Sequence, residues 1–399
     1  LAPVILTLPL AIPKGRAAME DSDFIIVGAG SAGCVLANRL TENGKYRVTL
    51  IEAGGSDRRF YVNLPLGYGK LFYDPAVNWL YKAEPDPGLA GQRDHWPRGK
   101  LLGGSSSINA MVWIRGHRAD YDDWGQAAPG WGWDDVLPAY RALEDTEAGA
   151  DDYRGQGGPL FISANRRGLH PLVPDYLRAC AEAGLPPNPD FNGERQEGFG
   201  LYQVTQRDGE RCSAFKAYLQ PYIGKRANLR VETGAQTRRV LFEGKRAVGV
   251  EYRQGGEVKR LMARREVILS AGAFQSPQLL QLSGIGNGPE LQKLGIPVVH
   301  HLPGVGLNLK DHPDFIFGYK AKDENLIGLS LRGGIKMAKD IALYRRERRG
   351  MISSNFAEGG AFLKTKPELA TPNIQLHFVI AMVDDHARKL SLGHGMSCH

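Results

Sequence analysis

The sequence predicts an α/β fold, α+β overall, built on a Rossmann-like nucleotide-binding unit that carries a smaller antiparallel sheet. Three observations carry this. A GxGxxG run, Gly28-Ala29-Gly30-Ser31-Ala32-Gly33, lies between an apolar tetrad and a helical pattern. A second glycine-rich segment runs from Gly99 to Asn109 and is bounded by apolar residues. Alternating short strands separated by glycine turns fill the region from Leu229 to Leu261. At 399 residues, 42% hydrophobic and 23% charged, the chain has core enough for one large or two interleaved domains.

Phe24-Ile25-Ile26-Val27 reads as a buried strand, and Val35, Leu36, Ala37 and Leu40 read as one face of a helix that Asn43-Gly44 stops. Between them Gly28 allows the tight turn, Gly30 lets backbone approach a pyrophosphate at the helix N-terminus, and Gly33 lets helix and strand pack closely. A second strand, Val48-Thr49-Leu50-Ile51, ends at Glu52, where an acidic side chain is needed to accept hydrogen bonds from an adenosine ribose. A free ribose fits FAD or NAD better than NADP. No second fingerprint of this kind follows, as a flavoenzyme with diffusible NAD(P) would often carry. The loop Gly99-Lys100-Leu101-Leu102-Gly103-Gly104-Ser105-Ser106-Ser107-Ile108-Asn109 instead suits a backbone wrapped closely round a rigid polar cofactor. A flexible linker of this composition would rarely sit between Leu101, Leu102, Ile108, Met111, Val112 and Trp113. Together the two segments point to a flavin.

Further on, Arg239 to Phe242, Ala247 to Tyr252 and Val258 to Leu261 alternate and are broken at Glu243-Gly244 and Gln254-Gly255-Gly256, an antiparallel meander suited to a smaller sheet that leads into the strand Val267-Ile268-Leu269. After a small-residue turn, Ser276 is expected to cap a helix with Pro277 at its first position and Gly284 at its end.

No run is long and apolar enough to span a bilayer. Residues 1 to 18 precede Met19 and read as an upstream or start-site artefact, with a signal peptide as the alternative; the apolar stretch lacks a basic n-region and is interrupted by prolines. Cys34, Cys180, Cys212 and Cys398 show no metal or CxxC spacing and read as free thiols of a reducing cytoplasm. A net charge of +7 and the run Arg345-Arg346-Glu347-Arg348-Arg349 read as a solvated helix face, with a weak peripheral contact at the inner face of the membrane as the alternative. No nucleic-acid module and no metal site is expected.

From about Asp23 to about His377 the chain resembles the glucose-methanol-choline (GMC) oxidoreductases, in their choline-dehydrogenase-like branch. The residues that carry the resemblance are Gly99 through Asn109 to Trp113 and Gly116, and Gly272-Ala273-Phe274-Gln275-Ser276-Pro277-Gln278-Leu279-Leu280-Gln281-Leu282-Ser283-Gly284-Ile285-Gly286. The resemblance implies an FAD-binding domain over 19–314 with part of the substrate cap inserted around 130–200, and a partial substrate-binding domain over 315–399. It implies FAD as cofactor, held by Gly28, Gly30, Ser31, Gly33, Glu52, Ala53, Arg98, Gly99, Gly103, Gly104, Ser105, Asn109, Met111, Val112, Thr237, Ala271 and Gly272. The implied reaction oxidises a small alcohol to an aldehyde by hydride transfer to flavin N5, with oxygen, a quinone or a dye-like carrier as electron acceptor.

The family's catalytic histidine is expected beyond His399, so that the catalytic set is absent from this chain and the chain alone is inactive; the alternative is a catalytically inactive flavin-binding protein. None of His95, His117, His170, His300, His301, His312, His377, His386, His394 and His399 falls at the family's catalytic place, and His312 is the best candidate for a structural role beside the cofactor. Three departures narrow the resemblance. Ile108 stands where some choline oxidases attach FAD through a histidine, so the flavin is expected to be non-covalent. Ala357 stands near the cysteine of the family's photodecarboxylases, and Asp314 stands where choline oxidases place a cation-binding glutamate.

Overall fold

The computed structural model describes residues 22–164, 168–323, 325–382 and 393–399. The expectations for residues 1 to 18 and for His386 lie outside the described residues. The chain runs through β1 (Ser22–Val27), α1 (Ser31–Thr41), β2 (Val48–Ile51), β3 (Gly198–Leu201), β4 (Leu229–Glu232), β5 (Ala235–Glu243), β6 (Arg246–Gln254), β7 (Glu257–Leu269), α2 (Gly272–Leu282), β8 (Phe317–Ala321), α3 (Leu331–Glu347), β9 (Ala357–Leu363), β10 (Ile374–Val379) and β11 (Gly393–Cys398).

The first sheet has the order β4-β2-β1-β7-β6-β5. Its β4, β2, β1 and β7 are parallel neighbours, with Phe24 to Val27 in register with Val48 to Ile51 on one side and with Glu266 to Leu269 on the other. Alternation along β1 divides the core. Ile26 faces α1 and the helical turn Phe215–Leu219, whereas Ile25 and Val27 face Ala235, Val250, Tyr252, Leu261 and Leu279 of β5, β6, β7 and α2. Asn38 Nδ2 donates to Tyr218 O at 2.6 Å and ties α1 to that turn.

Two expectations change here. The meander is not a separate small sheet: β7 is one strand of 13 residues. Its first half, Glu257 to Met262, pairs antiparallel with β6, and its second half pairs parallel with β1. One strand thus welds the meander to the parallel half of the sheet. The second change is the start of α2, which begins at Gly272 and not after Ser276. Gly272 has φ +84°, a left-handed turn that aims the chain into the helix five residues early. Ser276 still serves the helix end, because its Oγ accepts from Ala271 N at 3.0 Å, and Pro277 lies inside the helix.

The second sheet has the order β8-β11-β10-β9-β3, with Gly328–Leu329 also paired to β11. It packs the 169–177 segment around Val173, Leu326, Met351, Phe378 and Ile380, while Met337 and Tyr344 of α3 pack with Leu64, Leu66 and Ile352. A buried ion network ties together segments distant in the chain: Glu144 bridges Arg115 at 2.7 Å and Arg154 at 3.0 Å, and Arg154 reaches Asp190 at 2.7 Å. The four cysteines are free thiols. No helix among the described residues is long and apolar enough to cross a membrane. The basic run ends α3, where cations suit the negative end of the helix, and Arg346, Arg349 and Arg348 pair with Glu347, Glu347 and Glu210.

Candidate cofactor cleft

The carboxyl ends of β1, β2 and β7 and the amino end of β5 open into a cleft of about 510 Å³, closed on one side by the loop 98–105 and on the other by the N-terminus of α2. This is where an open parallel sheet places its ligand. The three fingerprint glycines differ in what they serve. A Cβ at Gly28 would lie 2.6 Å from Ser270 O, and φ there is +102°. A Cβ at Gly33 would lie 1.9 Å from Gly28 O, which forbids any side chain where α1 crosses the strand. At Gly30 a Cβ meets no protein atom nearer than 4.0 Å, and the backbone has φ −76°. Nothing in the polypeptide demands glycine at position 30; it demands glycine only if something else occupies the space in front of it.

That space is built for negative charge and polar groups. Gly30 is the N-cap of α1 and offers no side-chain cap, so the first amides of an 11-residue helix point at the cleft unsatisfied. Glu52, 6% exposed, accepts from Ala29 N at 2.9 Å through Oε2 and from Gly54 N at 2.8 Å through Oε1. Burial pushes its carboxyl up from the ordinary range, while the two amides and Lys100 oppose that rise. Each oxygen keeps acceptor capacity for a ligand hydroxyl. Across the cleft, Thr237 Oγ1 is buried with no hydrogen-bond partner among the described residues. A buried hydroxyl in that state awaits a partner.

The loop is locked onto the fingerprint by backbone. Gly103 N donates to Ala29 O at 2.7 Å, a Cβ on Gly104 would lie 2.7 Å from Gly30 Cα, and a Cβ on Gly99 would lie 2.2 Å from Gly104 O. The serines bind within the loop and to its neighbours: Ser105 Oγ accepts from Gly99 N, Ser106 Oγ donates to Gly103 O, and Ser107 Oγ donates to Leu102 O. Arg98 projects from the start of the loop, its guanidinium 4.5 Å from the Phe274 ring and 3.9 Å from Asp311.

The cleft brings together Gly28, Gly30, Ser31, Glu52, Ala53, Arg98, Gly99, Gly104, Ser105, Thr237, Ala271 and Gly272. Gly33 and Gly103 stand behind its wall as packing and hydrogen-bonding residues. Asn109, Met111 and Val112 lie beyond its rim: Asn109 accepts from Met111 N at 3.0 Å, Met111 is buried at φ +62°, and Val112 pairs with Val204. Ser270, Trp79, Ala235 and Gln236 also form the wall and were not anticipated. Ser270 Oγ donates to Gly28 O at 2.8 Å, a role set by the parallel pairing of β7 with β1 and invisible in local sequence. Phe274 and Gln275, inside the second signature, join them.

Among the described residues no histidine lines the cleft. His312 is exposed, its backbone N donating to Asp311 Oδ1. His117 caps the helix Arg118–Ala127, His95 binds Phe72 O, His170 binds Asn325 O, His301 accepts from Gly288 N, and His394 bridges Leu326 O and Ser330 Oγ. Burial lowers His377 to about 4. His399 Nδ1 is 3.2 Å from Asp314 Oδ2. Among the described residues no cluster of His, Cys, Asp and Glu could hold a metal ion.

Comparison with known proteins agrees with this geometry. Residues 22–314 match the family model described as GMC oxidoreductase. The chain is 43% identical over 381 residues to an alcohol dehydrogenase [acceptor] of Pseudomonas putida, covering 94% of this chain and 69% of that protein. It is 42% identical to an oxygen-dependent choline dehydrogenase of Vibrio vulnificus (95% and 68% covered) and 44% identical to mouse mitochondrial choline dehydrogenase (93% and 63% covered). It therefore spans about two thirds of the length of these relatives. Among solved structures, pyridoxine 4-oxidase from "Mesorbium loti" superposes with a TM-score of 0.83 at 30% identity, covering 95% of this chain and 70% of that one. An FAD-dependent oxidoreductase from Chaetomium thermophilum superposes with a TM-score of 0.77 at 30% identity, covering 86% and 62%. The fingerprint, the loop locked across it and the second signature at the start of α2 are the residues of one family, and the chain belongs to the GMC oxidoreductases.

Proposed function

We propose that the chain holds FAD non-covalently in the cleft and serves the oxidation of an alcohol to an aldehyde, in the manner of the alcohol and choline dehydrogenases it resembles. The observation that carries the cofactor assignment is Gly30, a glycine with open space before it at an uncapped helix N-terminus. The residues fit the group. The α1 amides and the Gly30 backbone receive the diphosphate, Glu52 accepts from the ribose hydroxyls, and the Thr237 hydroxyl offers a buried polar contact. FAD supplies the hydride acceptor. The loop 99–105 orients it and keeps water from its face, and Arg98 holds the mouth of the loop.

Ile108 is 2% exposed and packs among Val62, Leu71, Val77 and Leu101, so it presents no nucleophile to the cofactor. We place the residue that takes the hydroxyl proton outside the described histidines, because none of them lines the cleft. That same observation favours the second reading, a flavin-binding chain that is inactive by itself. The domains divide, in this proposal, into an FAD-binding unit over 19–314 with cap elements inserted around 130–200, and a substrate-binding unit from 315 onward. The electron acceptor is oxygen, a quinone or a dye-like carrier, and the location is cytoplasmic, with weak peripheral membrane contact through the basic end of α3 as a minor option. Titrating the apo chain with FAD, followed by flavin fluorescence quenching, tests the assignment. Saturable one-to-one uptake supports it, and uptake no tighter than that of denatured chain refutes it.

A further inference from the structure

Among the described residues three arginines are buried. Arg115 and Arg154 lie in the ion network of Glu144 and Asp190. Arg211, 1% exposed, does not. Its Nε donates to Val62 O at 2.9 Å, its Nη1 donates to Ser106 O at 3.1 Å and to Asn109 Oδ1 at 2.8 Å, and its Nη2 is buried with no partner among the described residues. No carboxylate is paired with it among the described residues; the one titratable group that acts on it is the hydroxyl of Tyr68. Burial lowers the guanidinium to about 9, so it remains charged at neutral pH. An unpaired buried charge is costly to keep. The cost was avoidable at one position: Asn109 already accepts from Arg211, and an aspartate of the same shape would neutralise it.

The charge lies directly behind the cofactor loop. Ser106 and Asn109, which receive it, continue from Gly104 and Ser105 of the cleft wall, and Gly104 lies against Gly30. We infer that Arg211 is a positioning and electrostatic residue: it shapes the 106–109 end of the loop through the Ser106 carbonyl and the Asn109 amide, and its uncompensated positive charge favours the reduced, anionic flavin in front. The charge balance is specific. Oxidation of R–CH₂OH moves a hydride from carbon to flavin N5 and the hydroxyl proton to a base; the alcohol leaves as aldehyde, and the flavin gains one negative charge. A fixed cation behind the loop offsets that charge without reorganising. The inference rests on the FAD reading of the preceding subsection.

The test compares the FAD-loaded wild-type chain with Arg211→Lys, Arg211→Gln and Asn109→Asp, reading the midpoint potential of bound flavin against a reference dye and the thermal midpoint of each apo chain. Arg211→Lys, which keeps the charge, should hold the oxidised-to-reduced ratio at fixed potential within about threefold of wild type. Arg211→Gln and Asn109→Asp should shift it about tenfold or more toward oxidised flavin, about 30 mV for a two-electron couple. Apo Asn109→Asp should melt higher than wild type, because the buried cation has gained its counter-ion. If Arg211→Gln does not fold, the other two decide. A potential that falls as far in Arg211→Lys as in Asn109→Asp overturns the inference, as does an Asn109→Asp chain with a raised melt and an unchanged potential. Weakened FAD binding at unchanged potential would assign the charge to the diphosphate and also overturn it. A wild-type chain that takes up no FAD refutes the cofactor reading itself, before any variant is compared.

Discussion

Replacing Gly30 by valine separates the fold from the cofactor. The new Cβ meets its first protein atom at 4.0 Å, and the backbone at φ −76°, ψ −164° is extended and accepts a β-branched residue. The apo fold should therefore be unaffected to within about 0.5 kcal/mol, as for an ordinary unstrained exchange. A ligand that approaches the Gly30 backbone meets two methyl groups instead. If the diphosphate is pushed out of reach of two α1 amides, each a hydrogen bond to a charged group worth about 1.5–3 kcal/mol, binding loses about 3–6 kcal/mol, or about 10²- to 10⁴-fold. Gly33→Val is the matched control, because its Cβ would stand 1.9 Å from Gly28 O and must displace backbone. The expected pattern is a Gly30→Val chain with wild-type circular dichroism and melting but no bound flavin, beside a Gly33→Val chain that fails to fold. Flavin content equal to wild type in purified Gly30→Val would refute the placement of the diphosphate.

Four further outcomes are expected. Glu52→Ala should weaken FAD by about 1–3 kcal/mol without abolishing it, as its loss removes hydrogen bonds to a charged acceptor; titration of the apo protein reads this, and unchanged affinity removes the ribose role. Trichloroacetic acid should release all yellow colour to the supernatant, since Ile108 offers no bond-forming atom; colour kept in the pellet contradicts non-covalent binding. Glu358, fully buried, receives His170 N at 2.6 Å and lies 2.5 Å from Ser354 Oγ, and burial raises its carboxyl to about 7 from 4.5. The folded chain thus holds a proton that the unfolded chain has released, so this group's contribution to stability falls as pH rises from about 4.5 to about 7, by up to about 3 kcal/mol at 1.36 kcal/mol per unit. Denaturation of wild type against Glu358→Gln across that range checks it, and a difference that does not change with pH would contradict the raised carboxyl. Reconstituted with FAD, the 399-residue chain should turn over choline, benzyl alcohol and aliphatic alcohols no faster than free FAD, because no described histidine stands at the cleft as a positioned base worth about 10²- to 10⁴-fold; steady-state oxidation would mean that one of its histidines is that base.

Local sequence by itself determined the first βαβ unit. Apolar runs of strand length, a helix with one buried stripe and glycines at the turn are short-range signals, and β1, α1, β2 and Glu52 stand where those signals put them. The two signatures likewise determined the family, because their residues meet at one cleft. Only the tertiary structure decided the rest, since it depends on partners far apart in the chain. It made β7 a single strand shared by two pairings, used the φ of Gly272 to start α2 early, and put the Ser270 hydroxyl under a carbonyl 242 residues away. It also distinguished Gly30 from Gly33, two letters of one motif, by what stands in front of each Cβ. Arg211 shows the same limit most plainly. In sequence it is one arginine in Glu210-Arg211-Cys212, and its burial behind Ser106 and Asn109, more than a hundred residues earlier, exists only once the loop has closed over the sheet. Periodicity reports which face of an element is apolar; which distant carbonyl a buried donor meets is a property of the packed chain.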